Sequence, residues 1–103
     1  MILNNSYEKF AQVFDSFVRG EFHKNYYGFI IRILKKLKFK PRNILDLACG
    51  TGKLAKIFLD AGYEVEGLDL SENMLNIARK RGLNVYQGNM INFELGKEYD
   101  LCF

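Results

Sequence analysis

The stretch from Asn43 to Gly52 constrains the fold more than any other part of the sequence. It begins with a short apolar run that includes Asp46 and ends in Cys49-Gly50-Thr51-Gly52. The apolar run favours a buried strand, and the glycines allow a sharp turn in which a ligand can lie directly against the main chain. A helix predicted from about Gly52 to Ala61 offers unsatisfied N–H groups to that ligand. The pattern therefore predicts a strand, a glycine loop and a helix, with a binding site at the loop.

Strands and helices alternate beyond this unit. The sequence predicts a second strand at Tyr63–Leu68, a third at Leu83–Tyr86 and a fourth at Tyr99–Phe103. Ser71 is a suitable N-cap for a helix that reaches about Arg81. This alternation is typical of right-handed β-α-β units, so we expect an α/β fold with a parallel sheet.

The N-terminal part of the chain follows a helical pattern instead. Apolar residues recur at intervals of three and four from Tyr7 to Val18 and from Phe22 to Lys38, and Pro41 ends the second segment. In the second segment we expect six apolar side chains to point inward, namely Tyr26, Phe29, Ile30, Ile33, Leu34 and Leu37. The predicted organisation is a helical region at residues 1–41 and an α/β domain at residues 42–103.

Composition narrows the class of protein. The chain has 103 residues, 49% hydrophobic and 26% charged, as in one ordinary globular domain. No stretch approaches the roughly 18 apolar residues of a membrane span, and the two cysteines indicate no disulfide framework, so we expect a cytoplasmic protein. Neither cysteine has the spacing of a metal ligand, so no metal is expected. Residues 1–43 carry nine Lys and Arg against three acids, but their apolar spacing favours a solvated helix face over nucleic-acid binding.

An acidic residue, Asp69, follows the second predicted strand and lies 17 residues after Gly52. Because the carboxyl ends of neighbouring parallel strands line one crevice, we expect Asp69 to face the glycine loop and to accept hydrogen bonds from a ribose. The loop also fits the dinucleotide-binding pattern. Asp46 argues against a nicotinamide dinucleotide, because a buried acid at a strand end costs free energy unless a group such as a cationic ligand satisfies it. A nucleoside-containing ligand is predicted, and a nicotinamide-dependent oxidoreductase remains an alternative.

Four segments, in order, resemble the motifs of class I S-adenosylmethionine-dependent methyltransferases. They are Ile44–Gly52, Glu66–Ser71 with the Ser-x-x-Met-Leu that follows it, Gln87–Met90, and Tyr99–Phe103. The resemblance implies a Rossmann-like three-layer sandwich with a mostly parallel sheet, whose four strands here have the order 3-2-1-4, preceded by two N-terminal lid helices. It also implies methyl transfer from S-adenosyl-L-methionine to a small-molecule acceptor, with S-adenosyl-L-homocysteine as the product.

The resemblance also gives the glycine loop and the second strand their roles. Asp46 would lie near the amino group of the cofactor, and Asp69 would bind its ribose hydroxyls. The methionine part of the cofactor would lie on the backbone of the loop, formed by Ala48, Cys49, Gly50, Thr51 and Gly52.

Other matching residues would surround the adenine ring or belong to the lid. Leu70 and Met74 would pack on the adenine faces, and Met90 would offer its backbone amide to the ring. Asn89 stands where the family usually has an aspartate that accepts a hydrogen bond from the adenine amino group. In the lid, Phe14 occupies a cofactor-binding position where the family often has a tyrosine, so the hydroxyl contact with the carboxylate end of the cofactor would be missing there. Tyr7 and Tyr26 are weaker candidates than that position to supply the contact.

The resemblance identifies no catalytic residue, because a general base in this family usually comes from the lid or from regions beyond the fourth strand. The family's sheet normally has seven strands, and this sequence reaches the fourth. We therefore expect an N-terminal part of a longer methyltransferase, in which Tyr99–Phe103 forms an open edge that allows self-association. A non-catalytic nucleoside-binding or interaction module is the other alternative.

Overall fold

The computed structural model describes residues 20–103, which form three helices and one four-stranded sheet. The helices are α1 (Gly20–Leu37), α2 (Lys53–Asp60) and α3 (Glu72–Lys80), and the strands are β1 (Asn43–Leu47), β2 (Glu64–Asp69), β3 (Asn84–Gln87) and β4 (Leu101–Cys102). All strand pairs are parallel and the order is β3-β2-β1-β4. The predicted α/β class, parallel sheet and strand order are confirmed.

Local chemistry explains where the helices begin and end. The Ser71 hydroxyl accepts a hydrogen bond from the Met74 N–H at 3.3 Å, which satisfies one of the free donors at the start of α3. Gly62 and Gly82 follow α2 and α3 with φ of 97° and 88°, a left-handed conformation that glycine adopts without strain. Each helix therefore ends within a residue or two of the predicted position.

One face of the sheet packs against the three helices. Because side chains alternate along a strand, Ile44, Val65 and Val85 lie on this face and belong to the main hydrophobic core. The helices contribute buried side chains to the same core, among them Ile30, Leu34, Ala55, Phe58, Leu75 and Ala78. The glycine loop connects β1 to α2. Because both of these elements pack into the core, the core holds the two ends of the loop in place.

The opposite face carries Leu45, Glu66 and Leu68, of which both leucines are fully buried. Residues 88–100, named here the crossover segment, connect β3 to β4 and contain no helix or named strand. Lys97 and Tyr99 of this segment contact Glu66, so the second half of the crossover segment lies on this face. The connection from the outer strand β3 to β4 therefore passes over the face that the helices leave open.

The expected burial of α1 is only partly correct. Ile30 and Leu34 are buried, whereas Tyr26, Phe29, Ile33 and Leu37 are exposed. The apolar residues of α1 cover a wider arc than the stripe of roughly 100° that an amphipathic helix usually buries, so contact with α2 covers only part of them. The predicted helix at Tyr7–Val18 lies outside the described residues, and the division at residue 41 remains a prediction. Within residues 20–103, no helix combines the length and hydrophobicity needed to cross a bilayer.

Candidate ligand-binding site

The carboxyl ends of β1 and β2 meet at a single carboxylate, that of Asp69. Its Oδ2 accepts a hydrogen bond from the Gly50 N–H at 2.8 Å, and its Oδ1 accepts one from the Ser71 N–H at 2.9 Å. Asp69 thereby joins the glycine loop to the start of α3. Its side chain faces the loop, as expected from the sequence. An ionised carboxylate offers about four acceptor sites, so each oxygen retains capacity for one more donor. Binding of a ribose remains a prediction.

The glycine loop has a conformation that ordinary residues adopt only with strain. Gly50 and Gly52 have φ of 59° and 83°, and Ala48 has φ of 58° despite its Cβ. A Cβ on Gly52 would lie 2.2 Å from Cδ1 of Leu83, and one on Gly50 would lie 3.2 Å from Sδ of Met74. Gly52 is therefore required by the packing of the loop against the region after α3, a purely structural reason that sequence reasoning missed. Strain at Ala48 fits the tendency of strained backbone to occur at functional sites.

Asp46 is the most unusual residue of the site. It lies within β1, its side chain is buried, and no donor among the described residues reaches its Oδ2. Burial, with a smaller contribution from the negative charge of Asp69, raises its pKa from 3.8 to about 7. A buried acceptor without a partner costs roughly 1–3 kcal/mol. The site therefore gains from a ligand that brings a cation or a hydrogen-bond donor to this oxygen.

Asp69 also borders a cavity of about 90 Å³. It is lined by Ala48, Leu68, Asp69, Leu70, Gly88, Asn89, Met90 and Ile91. The Asn89 Oδ1 already accepts a hydrogen bond from the Ile91 N–H at 2.9 Å, which leaves one of its lone pairs for a ligand. The cavity brings together three of the residues expected around an adenine ring, Leu70, Asn89 and Met90. Met74 is buried beside Gly50 and is not among the residues that line the cavity.

The two remaining residues of the loop have mainly structural contacts. The Thr51 carbonyl accepts a hydrogen bond from Nε of Arg81 at 2.9 Å. Cys49 is buried close to Gly67, where an added Cβ would lie 2.6 Å from the sulfur. Burial, followed by the charges of Asp46 and Asp69, raises the pKa of the Cys49 thiol above its usual range, so the thiol stays neutral. The main chain of Cys49 is also paired within the protein, since its N–H donates to the Leu68 carbonyl at 2.9 Å and its carbonyl accepts from the Gly52 N–H at 3.1 Å.

One of the three residues considered for the lid lies in the described part of the chain. Tyr26 is exposed on α1, whereas Phe14 and Tyr7 lie outside the described residues. Sequence reasoning also missed the contacts of Arg81, Leu83 and Glu66, because each joins positions 20 to 33 residues apart and leaves no local pattern.

The chain is similar to known methyltransferases in both sequence and structure. A family model described as a methyltransferase domain matches residues 44–103. The sequence is 34% identical over 93 residues to a dTDP-3-amino-3,4,6-trideoxy-alpha-D-glucopyranose N,N-dimethyltransferase of Streptomyces venezuelae, an alignment covering 86% of this chain and 39% of that protein.

Two solved structures support the same relationship. The structure of Streptomyces venezuelae DesVI superimposes with a TM-score of 0.75 at 27% identity, covering 99% of this chain and 43% of that one. An S-adenosylmethionine-dependent methyltransferase from Clostridium acetobutylicum gives a TM-score of 0.72 at 29% identity, with 94% and 42% covered. The chain thus spans less than half the length of these relatives. Together with the fold and the glycine loop, the matches show that the chain belongs to the methyltransferase-domain family.

Proposed function

We propose that the chain supplies the S-adenosylmethionine-binding part of a methyltransferase that acts on a small molecule. The observation that carries the proposal is the buried, unpartnered carboxylate oxygen of Asp46 beside the glycine loop. S-adenosylmethionine brings both an ammonium and a sulfonium to such a site, so it satisfies an acid whose burial otherwise costs free energy. An NAD molecule would instead place its anionic pyrophosphate at the loop and would bring no cation to Asp46.

The residues of the site fit the two ends of this cofactor. Asp46 and the backbone of residues 48–52 would hold the methionine end, and Asp69 would accept hydrogen bonds from the ribose. The cavity formed by Leu70, Asn89 and Met90 would take part of the adenine ring. We further propose that Met74 supports the adenine side from its position next to Gly50.

When bound, S-adenosylmethionine supplies an electrophilic methyl group that is already activated. The protein then contributes mainly binding, orientation and removal of water. The buried Asp46 and the strained loop would bind and orient the methionine end of the cofactor, which is the part next to the reacting methyl group. The relatives include proteins named for dimethylating amino sugars, which supports a small-molecule acceptor. We name no catalytic residue.

Isothermal titration of the chain with S-adenosyl-L-homocysteine and, separately, with NAD⁺ tests the proposal. We expect one saturable site for S-adenosyl-L-homocysteine and no heat of binding for NAD⁺. Binding of NAD⁺ in preference would favour an oxidoreductase, and binding of neither would favour an interaction module.

We also propose that the chain self-associates through β4, which is an edge strand of the described sheet. Cys102 of this strand is exposed, and Leu101 is only partly buried. An unpaired strand edge offers free N–H and C=O groups to another chain. Sedimentation velocity at several protein concentrations tests this proposal, and a monomer at every concentration would contradict it.

A further inference from the structure

Three donors from two parts of the chain converge on the carboxylate of Glu66. Tyr99 Oη donates to Oε1 at 2.6 Å, while Tyr86 Oη and Lys97 Nζ donate to Oε2 at 2.7 Å and 2.9 Å. Glu66 lies in the middle of β2, and its side chain is only 15% exposed. Among the described contacts, none links Glu66 directly to the glycine loop. Its role therefore depends on the segments that Tyr86, Lys97 and Tyr99 belong to.

The negative charge of Glu66 strengthens the hydrogen bonds that it accepts from Tyr86, Lys97 and Tyr99. Partial burial raises the pKa of the carboxyl group, but the hydrogen bonds from Tyr99, Lys97 and Tyr86 together outweigh burial and leave the pKa below its usual value. Glu66 is therefore ionised at neutral pH. Hydrogen bonds to an ionised acceptor are shorter and roughly twice as strong as those between neutral groups, and the distances to the two tyrosines agree with this.

Two of the three donors belong to the crossover segment, whose first residues form the cavity wall. Gly88, Asn89, Met90 and Ile91 line the cavity, and Lys97 and Tyr99 lie farther along the same segment. The segment contains no helix or named strand, so its position depends on a small number of contacts. Near its start the Gly88 N–H donates to the Asp69 carbonyl at 3.0 Å, whereas the bridge between Asn89 and Asn92 lies within the segment itself. Near its end the Glu98 carbonyl accepts a hydrogen bond from Nδ2 of Asn43 at 2.7 Å, and Asp100 bonds to Arg42 and Asn43. The bonds to Glu66 tie this end of the segment to β2 as well as to β1.

The cavity wall is also closely fitted to the sheet. A Cβ on Gly88 would lie 3.0 Å from Cδ1 of Leu68, which is fully buried in the next strand. The backbone at Gly88 therefore lies directly against the sheet, with little room for a side chain between them. Glu66 lies two residues before Leu68 on the same face of β2, and Leu68 lines the cavity. The bonds from Glu66 therefore attach the crossover segment to the same strand that lines the cavity.

We propose that Glu66 is a positioning residue for the adenosine half of the ligand. By binding Lys97 and Tyr99, together with Tyr86, it holds the crossover segment so that residues 88–91 complete the adenine cavity. This inference rests on the proposed function, since it assigns the cavity to the nucleoside end of S-adenosylmethionine. Glu66 itself touches neither the ligand nor the reacting atoms.

The test compares Glu66→Gln with the control Glu64→Gln. Glu64 lies on the same face of the same strand, two residues earlier, and its side chain is exposed. Glutamine keeps the size of the side chain but replaces one acceptor oxygen by an NH₂ group and removes the charge. We expect Glu66→Gln to weaken binding of S-adenosyl-L-homocysteine about tenfold, because the ligand must then order a crossover segment that is no longer held in place before binding, and Glu64→Gln to leave it unchanged.

Two further readouts separate positioning from general destabilisation. 5′-Methylthioadenosine contains the adenosine but not the amino acid, so Glu66→Gln should weaken its binding by the same factor. Amide hydrogen exchange of the free protein should become faster at residues 89–92 in Glu66→Gln and stay unchanged within α2. Uniformly faster exchange in all elements would indicate loss of overall stability and would contradict a positioning role.

The outcomes also distinguish this proposal from the proposed function. If the unaltered chain binds S-adenosyl-L-homocysteine and Glu66→Gln binds it equally well, the positioning role is wrong and the proposed function stands. If Glu66→Gln loses affinity for S-adenosyl-L-homocysteine but not for 5′-methylthioadenosine, the assignment to the adenosine half is wrong. If the unaltered chain binds neither ligand, the proposed function itself fails, and this inference fails with it.

Discussion

Replacing Asp46 by asparagine tests the electrostatics of the site without a ligand. In the folded chain, burial and the nearby charge of Asp69 raise the pKa of Asp46 to about 7, whereas its ordinary value is 3.8. Between these two pH values the folded chain holds a proton on Asp46 that the unfolded chain has already released. The unfolding free energy must therefore fall as pH rises through this window.

The size of the effect follows from the two pKa values. A pKa difference of about 3 corresponds to about 4 kcal/mol, because each unit is worth about 1.4 kcal/mol. This contribution is present in full below pH 4 and is lost by about pH 8. It is a large change for a small domain, since such domains are stable by roughly 5–15 kcal/mol in total. Asp46→Asn removes the titrating group, so we expect this part of the pH dependence to disappear.

Urea unfolding followed by circular dichroism at pH 5, 6, 7 and 8 measures the effect. Asp60→Asn is the matched control, because Asp60 is 63% exposed and forms only a surface ion pair with Lys56. We expect the unaltered chain and the control to lose stability in parallel as pH rises, while Asp46→Asn changes much less. Parallel curves for all three proteins would show that Asp46 ionises normally in the folded chain, and would remove the main argument for a cationic ligand.

Three further changes test other parts of the site. Asp69→Ala should weaken binding of S-adenosyl-L-homocysteine by about 2–4 kcal/mol, or roughly 30- to 1,000-fold by titration calorimetry, since it removes charge-assisted hydrogen bonds; a change below threefold would exclude Asp69 from the site. Asn89→Asp should keep or increase this affinity, and a clear loss would place the adenine elsewhere. Gly52→Ala should lower the unfolding free energy by roughly 1–3 kcal/mol or more, because of its positive φ and the contact with Leu83. Gly62→Ala, a control that also has a positive φ (97° against 83° at Gly52) but open space around it, should cost less in the same urea unfolding assay.

Features encoded in contiguous residues could be predicted from the sequence. The strand and glycine loop at residues 43–52, the Ser71 cap and the order of helices and strands all depend on short patterns. Asp69 could be placed opposite the loop because parallel strands bring their carboxyl ends together. The fourth strand, Leu101–Cys102, is shorter than the predicted Tyr99–Phe103, although the N–H groups of Asp100 and Phe103 on either side of it still donate to carbonyls of β1.

Features that depend on distant residues could not be predicted in the same way. The contact of Arg81 with Thr51 and the cluster around Glu66 join positions far apart in the sequence, and no spacing rule indicates them. Periodicity showed that α1 has many apolar residues, but it could not tell which of them would be covered. That choice depends on how α1 lies against α2, which is decided by packing rather than by the helix itself.

The location of the proposed ligand site can be tested most directly by mapping, residue by residue, where S-adenosyl-L-homocysteine binds. In a ¹⁵N heteronuclear NMR titration with S-adenosyl-L-homocysteine, we expect saturable shifts at the amides of residues 46–52, 69–71 and 88–91. Residues 38–42, which line a separate cavity at the other end of β1, should not respond. Shifts centred on residues 38–42, or no saturable shifts at all, would contradict the claim that Asp46, Asp69 and the crossover segment together form the site.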